Sequence, residues 1–303
     1  MDETNFRIAV TGATGYLGSR LCRNFKDSAA CTYQLTSNPG NASVALPSDR
    51  FTLTEGVRKG FFSENKIEAL VHAAYDFRPK TRNDIWNSNV RGSIALFKQA
   101  REEGVKRIVF VSTMSAYEGC VSLYGQAKLE IEAALRESGV GCSVRPGLIY
   151  STPLSDSGGM IGSILSRVQR GGVLPLIGGG KQQLYCVHEK DLARFIYWLA
   201  APEINRDSLQ LNEDCFIAAN PRPYSLRSII ELVLHAEKKK KVSLVPVPWQ
   251  IAWLGLKGLE VLGVNGDFRS DSVVSLAYQQ KQPDFSTVPR EFVFRDFADA
   301  IHV

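Results

Sequence analysis

The residues of this 303-residue chain best suited to proton chemistry are a tyrosine and a lysine four positions apart, Tyr124 and Lys128. Side chains at this spacing share a helix face, and the sequence predicts a helix over Tyr124–Glu137 that Ser138-Gly139 ends. A nearby ammonium group stabilises a phenolate and lowers the pKa of a tyrosine toward the working range. Tyr124 would then give or take a proton. Because such pairs also occur by chance on surfaces, the position of this one in the chain carries the argument.

A glycine-rich segment near the N-terminus has the features of a phosphate-binding loop. Residues 11–18, Thr-Gly-Ala-Thr-Gly-Tyr-Leu-Gly, follow a predicted strand at Phe6–Val10 and open a predicted helix. A pyrophosphate needs close backbone approach and the amide groups of a helix N-terminus. We expect Gly12 to make the turn, Gly15 to admit the phosphates and Gly18 to let helix and strand pack closely. The predicted dinucleotide contacts in this loop are Gly12, Thr14, Gly15, Tyr16, Leu17 and Gly18.

The residues after the second predicted strand, Tyr33–Thr36, bear on which dinucleotide binds. An NAD-preferring site usually offers Asp or Glu to the adenosine ribose at this point, whereas this chain has Ser37 and Asn38. Neutral side chains do not repel a 2′-phosphate, although no arginine clamp stands beside them in the sequence. Ser37 and Asn38 are therefore predicted cofactor contacts, and NADP is favoured over NAD.

The first half of the chain alternates strand-like and helix-like segments. Further strands are predicted at Ile67–Ala73, Arg107–Ser112 and Cys142–Arg145, and a guess places one at Phe51–Leu53. Helices are predicted at Tyr16–Phe25 and Asp84–Glu103. This alternation is typical of parallel βαβ units, so we expect an α/β fold with a doubly wound parallel sheet, a Rossmann fold.

The second half is looser and rich in glycine. A helix at Asp191–Ala200 and a strand near Leu209–Leu211 are predicted, with two helices in residues 221–303. We expect residues 1–150 and 185–220 to form an NAD(P)-binding domain. Residues 151–184 and 221–303 would form a smaller, discontinuous substrate-binding region.

Composition and charge favour a small-molecule partner. The net charge is +5 with acids and bases interspersed, which suits an anionic dinucleotide better than the basic stripe of a nucleic-acid surface. Six scattered cysteines and an acidic, polar start without a targeting peptide fit a cytoplasmic protein. The four histidines lack metal-ligand spacing, so no metal site is expected. Trp249–Gly263, interrupted by Lys257 and Glu260, is too short for a membrane span and is interpreted as a packed amphipathic helix rather than a membrane-surface helix.

In combination, these motifs resemble the extended short-chain dehydrogenase/reductase family, the group that includes nucleotide-sugar 4-epimerases and dehydratases. They run in the family's order over roughly residues 6–200. Besides the glycine loop and the Tyr124/Lys128 pair, the matching segments are His72-Ala73-Ala74, Asn89-Val90-Arg91-Gly92, Val111-Ser112-Thr113, Arg145-Pro146-Gly147 and Val187-His188-x-x-Asp191-Leu192-Ala193.

The resemblance implies roles for these residues. Thr113 would hydrogen-bond the reacting oxygen, Tyr124 would be the acid/base, and Lys128 would bind the nicotinamide ribose. The residues implied to line or support the cofactor are Ala73, Ala74, Asn89, Pro146 and Ile149. The helices that dimerise related proteins, here Asp84–Glu103 and Tyr124–Glu137, carry enough apolar residues for a homodimer.

The chain departs from the family pattern in two places that bear on the substrate. Thr113 stands where serine is usual, which keeps the hydroxyl. Leu184 stands where nucleotide-sugar enzymes commonly carry an arginine for the substrate pyrophosphate. A leucine cannot bind phosphate, which argues against a nucleotide-diphospho-sugar substrate. The residues after the fourth strand, Asp76-Phe77-Arg78, are candidates for the substrate side of the site, although a plain loop is an equal alternative.

Three functional hypotheses follow. The leading one is an NAD(P)-dependent oxidoreductase acting on a hydroxyl or carbonyl of a small sugar-like or other polar molecule. The second is a nucleotide-sugar epimerase or dehydratase that retains its NAD. The third is a non-catalytic dinucleotide-binding regulatory or assembly protein, against which the retained Tyr124 and Lys128 argue.

Overall fold

A computed structural model of the chain describes residues 6–26, 31–43, 45–201, 214–237, 242–262 and 269–301. The strands are β1 Arg7–Thr11, β2 Cys31–Thr36, β3 Ser48–Thr52, β4 Gly56–Val57, β5 Ala69–His72, β6 Arg107–Val111, β7 Gly141–Pro146, β8 Leu148–Tyr150, β9 Gly172–Ile177, β10 Gln183–Leu184, β11 Cys186–His188, β12 Cys215–Ala218, β13 Tyr224–Ser225 and β14 Val242–Val247. The helices are α1 Tyr16–Lys26, α2 Phe61–Glu64, α3 Arg82–Ile85, α4 Arg91–Glu102, α5 Leu123–Ser138, α6 Gly159–Arg170, α7 Glu189–Ala200, α8 Leu226–Ala236, α9 Trp249–Val261, α10 Ser270–Ala277 and α11 Phe297–Ile301.

Eight strands form one sheet in the order β12-β7-β6-β5-β1-β2-β3-β4. All neighbours are parallel except β3 and β4. The strand order reverses at β1, where the connections change from one side of the sheet to the other, and ligands of doubly wound sheets bind at such a point. The predicted α/β doubly wound fold is confirmed.

Alternation along β1 divides the core of this sheet into two layers. Ile8 and Val10 face a cluster shared with α1 and α7, whereas Ala9 faces a second cluster shared with α2, α4 and α5. Successive strand side chains point to opposite faces, so a short apolar strand can serve both layers.

The predicted helix Asp84–Glu103 is one continuous helical segment with a wider turn inside it. α3 begins after Thr81, whose hydroxyl accepts the amide of Asp84, and a π-helical turn at Trp86–Val90 leads into α4. A Cβ at Gly92, in the first turn of α4, would overlap the carbonyl oxygen of Leu53. The glycine of the Asn89–Gly92 motif is therefore explained by close backbone packing.

A third core cluster lies outside the main sheet. It is built from β8, α6, β9, α8 and α10, with Phe297 of α11 completely buried in it. Residues 221–303 carry four helices in their described part, α8 to α11, so the expectation of two was wrong. α10 and α11 have eight and five residues and too little periodicity to stand out in the sequence.

Two further expectations need comment. The predicted strand near Leu209–Leu211 falls outside the described residues; the strand that ends the sheet is β12. The predicted helix Asp191–Ala200 is α7, which begins at Glu189, and Asp191 does not cap it. The His188 side chain accepts the amide of Lys190 as the N-cap. The Asp191 carboxylate instead accepts hydrogen bonds from Nε and Nη2 of Arg295 at 2.8 and 2.7 Å.

Candidate active site

Helix α5 carries the tyrosine–lysine pair, and two side chains fix its first turn. The Ser122 hydroxyl accepts the amide of Gly125 at 3.1 Å as the N-cap. The Asp271 carboxylate, from the first turn of α10, accepts the amides of Leu123 and Tyr124 at 2.9 and 3.0 Å. A carboxylate at a helix N-terminus satisfies otherwise unpaired amides and complements the helix dipole. The C-terminal region is therefore bonded directly to the backbone of Tyr124.

The Tyr124 phenol sits among aromatic rings. The ring of Tyr75 meets it edge-on with centroids 4.9 Å apart, and that of Phe77 lies 5.7 Å away. Burial raises the pKa of Tyr124 to about 12, while a hydrogen bond with the Thr113 hydroxyl acts in the opposite direction. The protein alone therefore keeps the phenol protonated, with the Thr113 hydroxyl beside it.

Lys128 is buried one turn further along α5. Its Nζ donates to the carbonyl oxygen of Val111 at 2.7 Å and lies 4.5 and 4.9 Å from the ring centroids of Phe110 and Tyr75. Burial lowers the pKa of Lys128 to about 7, and the negative charge of Glu132 partly opposes that shift. Glu132 in turn forms a buried ion pair with Arg145. The arginine of the Arg145-Pro146-Gly147 motif therefore links β7 to α5.

A buried polar network holds the segment after β5. The Ser93 hydroxyl donates to the carbonyl oxygen of Asn89 at 2.7 Å, so His72 Nε2 must donate to Ser93 at 2.8 Å. His72 Nδ1 then accepts the Thr11 hydroxyl at 2.7 Å. The Thr11 oxygen accepts the amides of Ala73 and Ala74, each at 3.2 Å. Burial and Lys128 lower the pKa of His72 to about 3, so it is a neutral packing residue and no candidate acid.

The Asn89 side chain holds the backbone of the same segment. Its side chain accepts the amide of Asp76 at 2.7 Å and donates to the Asp76 carbonyl at 3.0 Å. Tyr75 and Phe77, on either side of Asp76, are the residues that contact Tyr124. The segment 72–77 thus connects the glycine loop, through Thr11, with the tyrosine–lysine pair.

The glycine loop has the geometry that close approach to a ligand requires. Gly12 has a φ of +68°, and a Cβ there would lie 3.0 Å from the Ala74 backbone. A Cβ at Gly18 would overlap the carbonyl oxygen of Gly12. Thr14 and Gly15 are exposed at the start of α1. The loop therefore fits a dinucleotide pyrophosphate at a helix N-terminus.

Some of the other predicted cofactor contacts have exposed side chains, and the rest have side chains that bond to or pack against other residues of the protein. Ser37 and Asn38 are exposed after β2, and the Asn38 side chain accepts the amide of Gly40. The Thr14 hydroxyl bonds to that of Thr36 at 2.8 Å, and the Tyr16 hydroxyl to that of Ser151 at 3.1 Å. Leu17 and Ile149 pack against the first core cluster. Both side chains are only partly buried.

A cavity of about 530 Å³ begins at the tyrosine. Thr113, Tyr124 and the β7–β8 segment Pro146-Gly147-Leu148 line it, together with Leu184. The C-terminal region adds aromatic, amide and charged side chains to the wall, among them Trp253, Gln279, Gln280, Lys257 and Arg269, and Tyr185 lines the cavity from between β10 and β11. A mainly apolar cleft with a few polar groups is the usual form of a small-molecule site.

The sequence motifs did not single out Asp271 and Tyr75, which contact Tyr124, or Arg50, which lies beside the end of β2. Asp271 lies 147 residues from Tyr124, and nothing in the sequence signals that contact. Tyr75 directly follows the recognised His72-Ala73-Ala74 motif, so its place at the carboxyl end of β5 was an available signal. Arg50 pairs in register with Thr36 across β2 and β3, which became visible only once the limits of β3 were known.

Within the described residues, no group of three or more histidine, cysteine, aspartate or glutamate side chains could hold a metal ion. Among the same residues, no helix is both long and apolar enough to cross a membrane.

Comparison with known proteins gives the family. A sequence model of the NAD dependent epimerase/dehydratase family matches residues 8–209. UDP-glucose 4-epimerase of Bacillus subtilis (strain 168) is 26% identical over 159 residues, covering 43% of this chain and 47% of that protein. The chain thus spans about half the length of the UDP-glucose 4-epimerases that it matches.

Solved structures show the same fold. WbmG of Bordetella bronchiseptica, in complex with NAD, has a TM-score of 0.69 at 18% identity and covers 99% of this chain and 92% of its own. UDP-glucose 4-epimerase of Thermus thermophilus, in complex with NAD, has a TM-score of 0.63 at 21% identity, over 80% of this chain and 86% of its own. The resemblance inferred from the motifs is confirmed: the chain belongs to the NAD-dependent epimerase/dehydratase family, a family of enzymes.

Proposed function

We propose that the protein is an NAD(P)-dependent oxidoreductase acting on a hydroxyl or carbonyl group of a small sugar-like or other polar substrate. The observation that carries the proposal is that Thr113 and Tyr124 meet in the wall of the 530 Å³ cavity, with the buried Lys128 Nζ 5.8 Å from the centroid of the Tyr124 ring. The family match and the NAD in two related structures support a dinucleotide.

The mechanism assigns one task to each side chain. When bound, the dinucleotide would exchange a hydride with a substrate carbon. Thr113 would donate its hydroxyl hydrogen to the reacting oxygen, and Tyr124 would give a proton to that oxygen or take one from it. Lys128 would leave the Val111 carbonyl for the nicotinamide ribose, and its charge would favour the phenolate.

The raised pKa of Tyr124 in the protein without a ligand favours proton donation, which is the role that carbonyl reduction requires. A phenol with a pKa near 12 is protonated at neutral pH and is a ready donor. Oxidation of an alcohol requires the phenolate, so its rate should rise with pH as Tyr124 loses its proton. Positive charge beside the phenol moves that rise to lower pH, which gives Lys128 its catalytic value.

The cavity wall supports a polar substrate. Aromatic faces such as those of Tyr185 and Trp253 suit the carbon face of a sugar ring, and the amides of Gln279 and Gln280 suit its hydroxyl groups. Leu184 is buried and lines the cavity. Its apolar side chain gives a substrate pyrophosphate no partner at that position.

For the cofactor, we propose a preference for NADP. Ser37 and Asn38 offer neutral side chains after β2, and the exposed guanidinium of Arg50 stands in register with Thr36. Arg50 is ion-paired with Glu55 at 2.9 Å on the surface, where such a pair contributes little and exchanges readily. A 2′-phosphate could therefore take the place of the Glu55 carboxylate.

Titration of the purified protein with NADPH and NADH, followed by nicotinamide fluorescence, tests the cofactor proposal. We expect tighter NADPH binding, and Arg50→Gln should weaken it by about tenfold, the value of one charge-assisted contact. NADH affinity should not change in that variant. Equal effects on both dinucleotides, or tighter NADH binding by the wild type, would contradict the preference.

The second candidate function is a nucleotide-sugar epimerase or dehydratase with retained NAD. The related UDP-glucose 4-epimerases favour it, as do the three cationic side chains Lys80, Lys257 and Arg269 that border the cavity. The two functions differ in cofactor exchange. NAD that stays with the protein through purification and does not exchange with added dinucleotide would favour the epimerase. Readily exchanging NADPH, consumed with a carbonyl substrate, would favour the oxidoreductase.

Three broader proposals accompany the activity. The third core cluster supports a dinucleotide domain formed by residues 1–150 and 185–220 and a substrate-binding region formed by 151–184 and 221–303. None of the six cysteines forms a disulfide, which supports a cytoplasmic location. Exposed Ile94 on α4 supports a homodimer through α4 and α5, and light scattering of the purified protein would test it.

A further inference from the structure

Helix α9 presents an apolar face to solvent. Ile251, Gly255, Gly258 and Leu262 recur at helical spacing on one side of the chain, and each is exposed. A Cβ at Gly255 or Gly258 would meet nothing within 4 Å. Leu254, Leu259 and Val261 widen this face, and the five aliphatic side chains are between 46% and 78% exposed.

The opposite side of α9 faces the protein. Trp249, Ala252, Trp253 and Leu256 pack against the third core cluster. Glu260 accepts the amide and hydroxyl of Ser270 in α10, both at 2.9 Å. None of the thirteen residues of α9 is buried, so the helix lies on the surface with one side seated. The predicted packed amphipathic helix is therefore present, with one side on the third core cluster and the other side exposed.

The exposed apolar surface continues into the neighbouring strands. β14 leads through Pro248 into α9 and pairs in parallel with β9. Val245 of β14 and Val173 of β9 are 43% and 55% exposed. We call the outward face of α9 with these two valines the α9 surface.

We propose that the α9 surface docks the protein on an anionic lipid bilayer as a peripheral, non-spanning attachment. A short amphipathic helix with aliphatic residues on one face and lysine at the border of that face is typical of this mode. Lys257 lies on α9 itself, and Arg167 donates to the Val173 carbonyl beside the surface. The chain also has four consecutive lysines, residues 238–241, directly before β14. Such cations suit acidic headgroups.

A bilayer fits the area of this surface better than a second copy does. A helix of thirteen residues is about 20 Å long at 1.5 Å per residue. One face of that length falls well short of the roughly 800 Å² per partner that a stable protein interface buries. A bilayer needs no shape complementarity, and a few inserted aliphatic side chains with nearby cations suffice for reversible attachment.

Docking would bring the cavity close to the bilayer. Trp253, Lys257 and Glu260 line the cavity from α9, whose outward face would rest on the lipid. The separation is then about one helix diameter, roughly 10 Å. Substrates that partition into the headgroup region would gain local access to Tyr124. This consequence depends on the proposed activity, whereas the docking itself does not.

Vesicle co-sedimentation of the full-length protein tests the proposal. We expect binding to phosphatidylcholine vesicles that contain about 30% phosphatidylserine, and at least tenfold weaker binding to phosphatidylcholine alone. The double substitution Ile251→Glu/Leu254→Glu should reduce binding to the anionic vesicles by at least about tenfold. Val293→Glu is the matched control and should bind as the wild type does, because this exposed valine lies between Phe292 and Phe294 of the first core cluster, whereas α9 packs on the third.

Dinucleotide binding and circular dichroism show whether each variant is folded, independently of lipid. No vesicle binding by folded wild type would overturn the proposal, and so would equal binding by the Ile251/Leu254 variant. A wild-type dimer that the same variant dissociates, without vesicle binding, would assign the α9 surface to a second copy instead. Vesicle binding by a protein that shows no oxidoreduction would leave the docking intact and contradict only the proposed activity.

Discussion

Helices α1 and α9 both contain glycine, but the two regions use it in opposite ways. In α1, a Cβ at Gly18 would overlap the Gly12 carbonyl, whereas in α9 a Cβ at Gly255 would meet only open space. The backbone around the glycine loop and segment 72–77 is fixed by buried hydrogen bonds. The C-terminal region instead offers exposed surface and a cavity wall. We infer that cofactor geometry is set by backbone packing, whereas the substrate is met by side chains of the C-terminal region that line the cavity.

The largest expected effect on stability separates these two glycines. Gly18→Ala should lower the free energy of unfolding by at least about 1–3 kcal/mol, because backbone must move to relieve the overlap. Gly255→Ala should raise it by about 0.5–1 kcal/mol, because alanine reduces the entropy lost in a helix interior. Urea denaturation of both variants measures the difference. Equal changes of either sign would remove the contrast between the two regions.

The buried His72 makes the free energy of unfolding depend on pH. Unfolded His72 has an ordinary pKa near 6.5, and the folded value is about 3. Between these values the unfolded chain binds more protons, so stability falls as the pH decreases through this window. The contribution is about 1.4 kcal/mol per pH unit, or about 2 kcal/mol from pH 6.5 to pH 5.

Urea denaturation at pH 7 and pH 5 tests this dependence. His72→Asn should be less stable than the wild type at pH 7 but should lose less stability between the two pH values. The same loss in both proteins would show that His72 is not the group responsible.

The contact between the two regions is expected to have a moderate effect. Asp271→Asn retains one oxygen, so one of the amides of Leu123 and Tyr124 loses its acceptor. Turnover should fall by about tenfold, equivalent to about 1.4 kcal/mol in the barrier, through displacement of Tyr124. Dinucleotide affinity should change by less than about twofold, because the Asp271 carboxylate bonds the backbone of α5 rather than the glycine loop. Asp299→Asn, on the exposed face of α11, is the control.

Steady-state kinetics and dinucleotide titration separate these two effects. Weaker dinucleotide binding with unchanged turnover would assign Asp271 to the cofactor rather than to Tyr124.

Local sequence patterns were sufficient to predict the parallel sheet and the glycine loop. Short apolar strands, a helix start at Tyr16 and the spacing of Gly12, Gly15 and Gly18 are each determined by residues close together in sequence. The doubly wound sheet followed from their alternation and is confirmed. The same local logic missed the π-helical turn at Trp86–Val90, because five residues that continue an apolar periodicity give no sign of a widened turn.

The remaining features depend on contacts between distant residues. Asp191 lies near a helix start, but both of its carboxylate oxygens accept hydrogen bonds from Arg295, which is 104 residues later in the chain. Asp271 reaches Tyr124 only because α10 docks on α5. The exposed face of α9 has the same periodicity as a packed helix, and the sequence does not show which face is covered. Tertiary docking, rather than propensity, decides each of these.

The central claim is proton transfer by Tyr124 in a working oxidoreductase. The most direct test measures turnover of a carbonyl or alcohol substrate of the wild-type enzyme by the Tyr124→Phe variant, with dinucleotide affinity measured alongside. The claim predicts a loss of about 10²–10⁴ in turnover with affinity retained, because the phenyl ring still fills the place among Tyr75 and Phe77. Full turnover in the variant would contradict it.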